Sequence, residues 1–349
     1  MATATDERRG TVRLLLGGLV AALLLAVLAL SLDVEVTLAT LRAAEPGAVA
    51  LAVGLGLFAQ GCWSLTMVTI VGGVDRTAPR GRVSLCYFAG TFGKQVLPLG
   101  AAGGSAIIAY VLADDLDRRF TDVFGAVTAS ELLVFAGSLG VAALGMASLV
   151  VDPLPGLDGA AVLGVLALVV AALVAGGAAL AYRRTALRRV VELAAGLVRA
   201  TVGRVSVRVA RSLRPDRVSA AVETFFDGFG AATGDTRRLA VAAALSVVGW
   251  VAFSLSLVAS LGAVDVPLAT GLALFLVPAA GVATLVPTPG GLGTTELGLT
   301  AVVTLASAAS PELAAAGVVV YRLATYWLIV AVGGAASLYL STTVWHALD

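Results

Sequence analysis

Long apolar stretches alternate with short polar ones along nearly the whole chain. Six stretches are long and continuous enough to cross a bilayer as helices, which takes about 20 apolar residues: 14–32, 48–72, 122–150, 159–182, 239–263 and 313–341. Two further stretches, 83–112 and 268–309, are equally apolar but are interrupted by Pro and Gly clusters. They predict hairpins of half-helices that enter the membrane and return. The order is then span, span, broken hairpin, span, given twice, and the second set runs in the opposite sense. This predicts an all-α polytopic membrane protein built as an inverted repeat of two halves, each with three spans and one broken re-entrant hairpin. The first half covers 1–152 and the second 153–349. Inverted repeats with interrupted helices are a recurring transporter design.

Charge fixes the sidedness of this arrangement. With the N-terminus in the cytoplasm, 20 of the 23 basic residues fall on inner segments and one, Arg42, on an outer loop. Lys94 and Arg322 lie within membrane segments. Such an asymmetry follows the positive-inside rule. A single crossing by 83–112 would carry Arg118 and Arg119 outside, so the hairpin is favoured there. For 268–309 a hairpin and two full spans fit equally well. The expected location is the cytoplasmic membrane, with both termini in the cytoplasm.

Composition agrees. Hydrophobic residues make up 59% of the 349 and charged residues 13%, about half the share that covers a soluble domain. Cys62 and Cys86 lie in apolar segments without metal-ligand spacing, and the single histidine, His346, is near the C-terminus. No cofactor or metal is expected. The first apolar run reads as a retained span rather than a cleaved signal. Segment 183–238 carries twelve arginines, and Arg204, Arg208 and Arg211 recur at helical spacing. It predicts amphipathic helices on the inner leaflet, with Phe225, Phe226 and Phe229 as a separate apolar cluster. No nucleic-acid-binding module accompanies these arginines, so the expected partners are membrane lipids.

The two interruptions resemble each other. The first contains Pro98, Gly100, Gly103 and Gly104, and the second Pro287, Pro289, Gly290, Gly291 and Gly293. Proline removes a backbone donor and glycine permits unusual backbone angles. Freed backbone groups are costly in hydrocarbon unless they meet protein or line a polar cavity, so two breaks imply a shared polar interior. Lys94, the only lysine, stands beside Gln95 just before the first break. A lysine at mid-membrane costs roughly 3 kcal/mol on insertion scales, which points to a specific role. Glu131 and Arg322 fall nine residues into equivalent spans, placed so that they could meet at the centre. Half-helices starting at Ser105 and at Thr294–Thr295, with Glu296 in the first turn, would present N–H groups to an anion. The candidate substrate-binding set is therefore Lys94, Gln95, Ser105, Glu131, Thr294, Thr295, Glu296 and Arg322.

The stretch Leu285–Glu296, reading LVPTPGGLGTTE, and the stretch Tyr321–Trp327, reading YRLATYW, resemble the lysylphosphatidylglycerol synthase transmembrane-region family, also called flippase-like. Phe92–Gly100, with Gly103, Gly104, Ala109 and Tyr110, is similar to that family's other signature. The family often has an acid directly after the first Gly-Gly, where this chain has Ser105. Its bifunctional members attach a soluble aminoacyl-transferase domain. With the sequence ending at Asp349, the resemblance implies the translocating part without the synthase.

The expected function is translocation of a lipid-linked or anionic amphiphile across the bilayer, with no catalytic constellation recognised. Two alternatives stand beside it. One is a membrane-embedded lipid glycosyl- or aminoacyl-transferase using Asp115 and Asp117. The other is a non-transporting scaffold of an envelope-synthesis complex.

Overall fold

The computed structural model describes residues 33–97, 100–151, 159–160, 163–168, 170–171, 215–281 and 288–348. Among these residues every regular element is a helix. The chain runs α1 (Val34–Ala43), α2 (Pro46–Val74), α3 (Arg80–Val96), α4 (Gly100–Asp115) and α5 (Phe120–Val151). It continues with α6 (Pro215–Thr233), α7 (Thr236–Gly262), α8 (Thr270–Ala280), a single 3₁₀ turn (Pro289–Gly291) and α9 (Thr294–Ser307). It ends with α10 (Pro311–Arg322), a π-turn (Leu323–Trp327) and α11 (Leu328–Leu348).

Among the described residues, four helices are long and apolar enough to cross a membrane: Pro46–Val74, Phe120–Val151, Thr236–Gly262 and the continuous run Pro311–Leu340. Each falls within a few residues of an expected span. The expected span 14–32 lies outside the described residues. So does most of 159–182, of which 159–160, 163–168 and 170–171 are helical.

Caps set several helix starts. The Asp33 carboxylate accepts from the Glu35 and Val36 amides, Glu45 from Gly47 and Ala48, and Asp235 from Arg237 and Arg238. Each satisfies amides that a helix start leaves without partners. Outward-facing side chains such as Leu51, Phe58, Phe135, Leu144 and Leu338 are more than half exposed. Acyl chains, not water, are their solvent in a bilayer.

Lipid is as apolar as leucine, so helices in a bilayer associate through close packing of small residues and through polar contacts. This chain does both. α2 and α7 run antiparallel along most of their length. Ser256 Oγ donates to the Ala52 carbonyl at 2.9 Å, and Thr66 Oγ1 to the Ala242 carbonyl at 3.3 Å. Trp63, Trp250 and Phe253 fill the space between them, with ring centroids 4.9–5.9 Å apart. On α5, the place a Cβ at Gly145 would take is 2.6 Å from the Gly271 carbonyl oxygen of α8 and 2.7 Å from the Phe275 amide nitrogen. Nothing larger than glycine fits that crossing without a shift.

The hairpin expected at 83–112 is present. Arg82 binds Asp115 with two nitrogens at its base, at 3.0 and 2.5 Å. Gly90 faces Ile108 halfway along, and Lys94 lies against Gly104 at the tip. The second interrupted stretch holds α8, the 3₁₀ turn and α9, with residues 282–287 outside the described set. The two stretches start from opposite ends of the bundle. α3 begins where α2 ends and α5 starts. α8 begins beside the end of α5, where α2 starts and Glu45 N donates to the Ala263 carbonyl.

The Phe cluster lies at a helix contact. Phe225 on α6 lies 5.6 Å, centroid to centroid, from Phe124 on α5. Gly125 of α5 faces the Phe225 carbonyl oxygen and the Phe229 amide nitrogen, at 2.5 and 2.8 Å from the Cβ position. α6 therefore packs on α5 with Phe225 and Phe229 at the contact, and Gly125 lets the two backbones approach closely. The arginines of 183–214 lie outside the described residues.

Candidate functional site: two ion pairs where the helix breaks meet

The second break is built from three glycines in left-handed conformation, Gly290, Gly291 and Gly293, with φ of 54°, 67° and 83°. A side chain strains such a backbone, so Pro289–Gly293 folds into a turn that most other sequences cannot follow. The turn delivers the chain to α9. There the Glu296 carboxylate reaches back and accepts from the Gly293 amide at 2.7 Å. Thr294 Oγ1 donates to the Gly291 carbonyl at 2.9 Å, and Thr295 is buried. The start of α9 at Thr294 is as expected, but its amide end is already engaged by its own carboxylate.

That carboxylate has a second partner. Arg322 Nε lies 2.7 Å from Glu296 Oε1, and Arg322 Nη2 donates to the Gly290 carbonyl at 3.0 Å. The guanidinium stands 4.4 Å from the centre of the Tyr326 ring. Residues four apart share one helix face, which gives the stack its geometry. Both ion-pair side chains are about nine-tenths buried, 11% and 7% exposed. A π-turn follows immediately at Leu323–Trp327. π-turns inside helices are frequent at functional sites.

Lys94 forms the other pair, with Nζ 2.5 Å from Glu131 Oε2. Its aliphatic stem covers Gly104 in the opposite arm, where a Cβ would meet the lysine Cδ and Cε at 2.7 Å. This pair is more open, with side chains 30% and 22% exposed. The two pairs follow one plan with the signs exchanged. In each, a charge on a broken hairpin binds its opposite on the long helix that follows.

The two breaks touch. The Cβ position at Gly290 lies 2.9 Å from Gln95 Oε1 and closer still to the Tyr326 ring. Gln95 at the end of α3, the 3₁₀ turn and Tyr326 thus converge on one point. Lys94, Gln95, Glu296 and Arg322 are gathered around it, and Glu131 is tied in through Lys94. Tyr326 stands in the stretch that carries the family resemblance but was not among the candidate binding residues. Its signal was present, an aromatic four residues after an intramembrane arginine.

Two expectations are corrected. Glu131 and Arg322 do not meet, because each finds an opposite charge nearer to it. Ser105 is not a helix start: α4 begins at Gly100, and Gly103 and Gly104 continue it as helix. Gly104 is tolerated there because its missing side chain gives room for the Lys94 stem. Pro98 and Pro287 lie outside the described residues.

A model of the lysylphosphatidylglycerol synthase transmembrane region matches residues 14–333. The chain belongs to that family. No curated protein matches it at a significant level. The family match spans both ion pairs and both breaks, so the site described here lies within the family's membrane unit. Asp115, a residue of the transferase alternative, is held at the hairpin base by Arg82, while Asp114 and Asp117 are exposed.

Proposed function

We propose that this chain moves a lipid across the bilayer, its headgroup passing between the two hairpin tips. The observation that carries the reading is the Lys94–Glu131 pair, a partly open ion pair at the meeting point of two helix interruptions that start from opposite ends of the bundle. Ionisable groups at membrane depth are rare and mark substrate paths by default. The Arg322–Glu296 pair is closed in by Gly290, Gly293 and Tyr326 and acts as a strut. Lys94 keeps exposure, so a phosphate oxygen can take the place of Glu131 on its ammonium.

The neutrality of the pair narrows the substrate. A phosphate that displaced Glu131 and brought nothing else would leave that carboxylate uncompensated, which is costly away from water. A headgroup that sets a hydroxyl or ammonium donor beside its phosphate satisfies both residues at once. In this reading the protein sits in the cytoplasmic membrane with the Asp75 end inward, as the arginine distribution argues, and it is a transporter rather than an enzyme. Its two halves rock against each other around the hairpin tips.

The test uses proteoliposomes carrying fluorescent lipids, with quenching from outside reporting translocation. Lys94→Ala and Lys94→Gln reduce translocation to the protein-free rate while the protein elutes and melts as a folded species. Wild-type rates in both variants overturn the reading.

A further inference from the structure

The last membrane-crossing run, Pro311–Leu340, holds both interrupted stretches. Its first part, α10, packs on α9 of the second stretch. There Arg322 binds Glu296 and the Gly290 carbonyl. Its later part, α11, packs on α3 of the first stretch. There a Cβ at Gly333 would stand 2.5 Å from the Phe88 carbonyl oxygen and 2.8 Å from Phe92 Cβ, so the two helices touch at their backbones. The π-turn Leu323–Trp327 joins the two parts.

No proline follows Pro311 within this run, so the π-turn is its one irregularity. A π-turn carries an extra residue relative to α-helix, and long helices bend at such places. Two contacts hold the turn. Thr325 Oγ1 donates to the Tyr321 carbonyl at 2.6 Å. On the other side, the Ala324 carbonyl rests on Gly56 of α2, where any Cβ would collide with its oxygen. Gly56 is buried, and its missing side chain leaves the room that the wider turn takes up. Gly54, on the same helix, faces nothing within 4 Å.

We infer that Leu323–Trp327 is the hinge on which the two interrupted stretches move relative to each other, with Gly56 as the surface it bears on. Hinges are a few residues that absorb a change in backbone angles while the elements on either side stay packed. Here the Arg322–Glu296 contact lies on one side of the turn and the Gly333–Phe88 contact on the other. Exchange between π- and α-bonding within the turn rotates α11, and α3 with it, relative to α10 and α9. Tyr326 lies inside the turn and against Gly290 and Arg322, so the motion is centred where the two breaks meet. The inference deepens the transport reading and rests on it for its purpose, because it locates the movement which that reading requires.

Double electron–electron resonance on the full chain in lipid nanodiscs tests it. Spin labels are placed at Tyr110→Cys on α4 and Leu305→Cys on α9, where the native side chains are 67% and 86% exposed. The native Cys62 and Cys86 are buried. The labelled parent gives two distances between the stretches. Deleting Leu323, which is half exposed, removes the extra residue and keeps Tyr326 on the Arg322 face, three residues on instead of four. The deletion loses one of the two distances. Gly56→Ala, which presses a methyl onto the Ala324 carbonyl, also loses one, and Gly54→Ala keeps both. Where the deletion does not fold, Gly56→Ala decides alone. A single distance in the parent, or both distances persisting in folded Gly56→Ala, overturns the hinge. Both distances in the parent, one in Gly56→Ala and no lipid translocation by the parent would keep the hinge and refute the transport reading instead.

Discussion

Lys94 and Glu131 stand 2.5 Å apart with roughly a quarter of each side chain exposed, while Arg322 and Glu296, at 2.7 Å, are almost sealed. Similar distances thus occur in two different environments. Coulomb attraction scales inversely with local dielectric, and so does the cost of stranding one partner. The two pairs should therefore respond differently to the loss of one member.

At the sealed pair the response is stability. Arg322→Ala leaves Glu296 charged and buried, and is expected to destabilise the protein by about 3–5 kcal/mol. Arg322→Met combined with Glu296→Gln removes both charges and recovers a large part of that loss. Thermal unfolding in detergent, compared across the three proteins, checks the order. A single variant as stable as the double variant would show that the pair is not a strut.

At the open pair the response is flux. The open pair is better solvated than the sealed one, so Lys94→Ala, which leaves Glu131 without its cation, is expected to remain folded and to lower the melting temperature by less than Arg322→Ala does. The exchange Lys94→Glu with Glu131→Lys preserves an ion pair but moves the ammonium from hairpin to span. It is expected to keep the fold and lose translocation. Transport by the exchanged protein at the wild-type rate would mean that any neutral pair suffices.

The turn at Gly290 permits a sharper backbone test. Its φ is 54°, and a Cβ there would run into the Tyr326 ring. Gly290→Ala combines left-handed strain with a steric clash and is expected to cost roughly 2 kcal/mol or more. Gly298→Ala, where nothing lies within 4 Å of the new methyl, is expected to be neutral or slightly stabilising. Limited proteolysis or thermal unfolding of the two variants separates these outcomes.

Asp75 gives a pH signature. Hydrogen bonds from the Thr77 hydroxyl and amide, and then Arg118, hold its carboxyl below the ordinary carboxylate value. The folded state therefore favours the charged form. The contribution is complete above the unfolded value of about 3.9 and disappears as pH falls through the lower folded value. Asp75→Asn is expected to lower the melting temperature at pH 7 and to lower it by less at pH 3. A deficit that is the same at both would assign it to packing.

Much of this architecture was legible because a bilayer imposes a strong one-dimensional constraint. The spans around Phe58, Phe135 and Trp250 follow from length and hydropathy alone, since each must satisfy its backbone internally. Pro289 and the glycines around it announced a break for the same reason. Lys94, Glu131, Glu296 and Arg322 stood out as charges in an apolar setting, which is a property of residue type and position.

Which of those charges bind one another was a different kind of question. Glu131 and Arg322 occupy matching places along the chain, but pairing depends on which helices lie side by side and how each is rotated. Close packing at Gly145 against Gly271, and of α2 against α7, decides that. The sequence by itself determined that the protein is a helical membrane protein with two interrupted apolar stretches and four charges within apolar segments. Only the tertiary structure decided that these charges form two neutral pairs, one closed and one open, and that Tyr326 and Gln95 meet over Gly290. Hydropathy is a sum over single residues, whereas pairing and exposure are set by contacts between segments far apart in the chain.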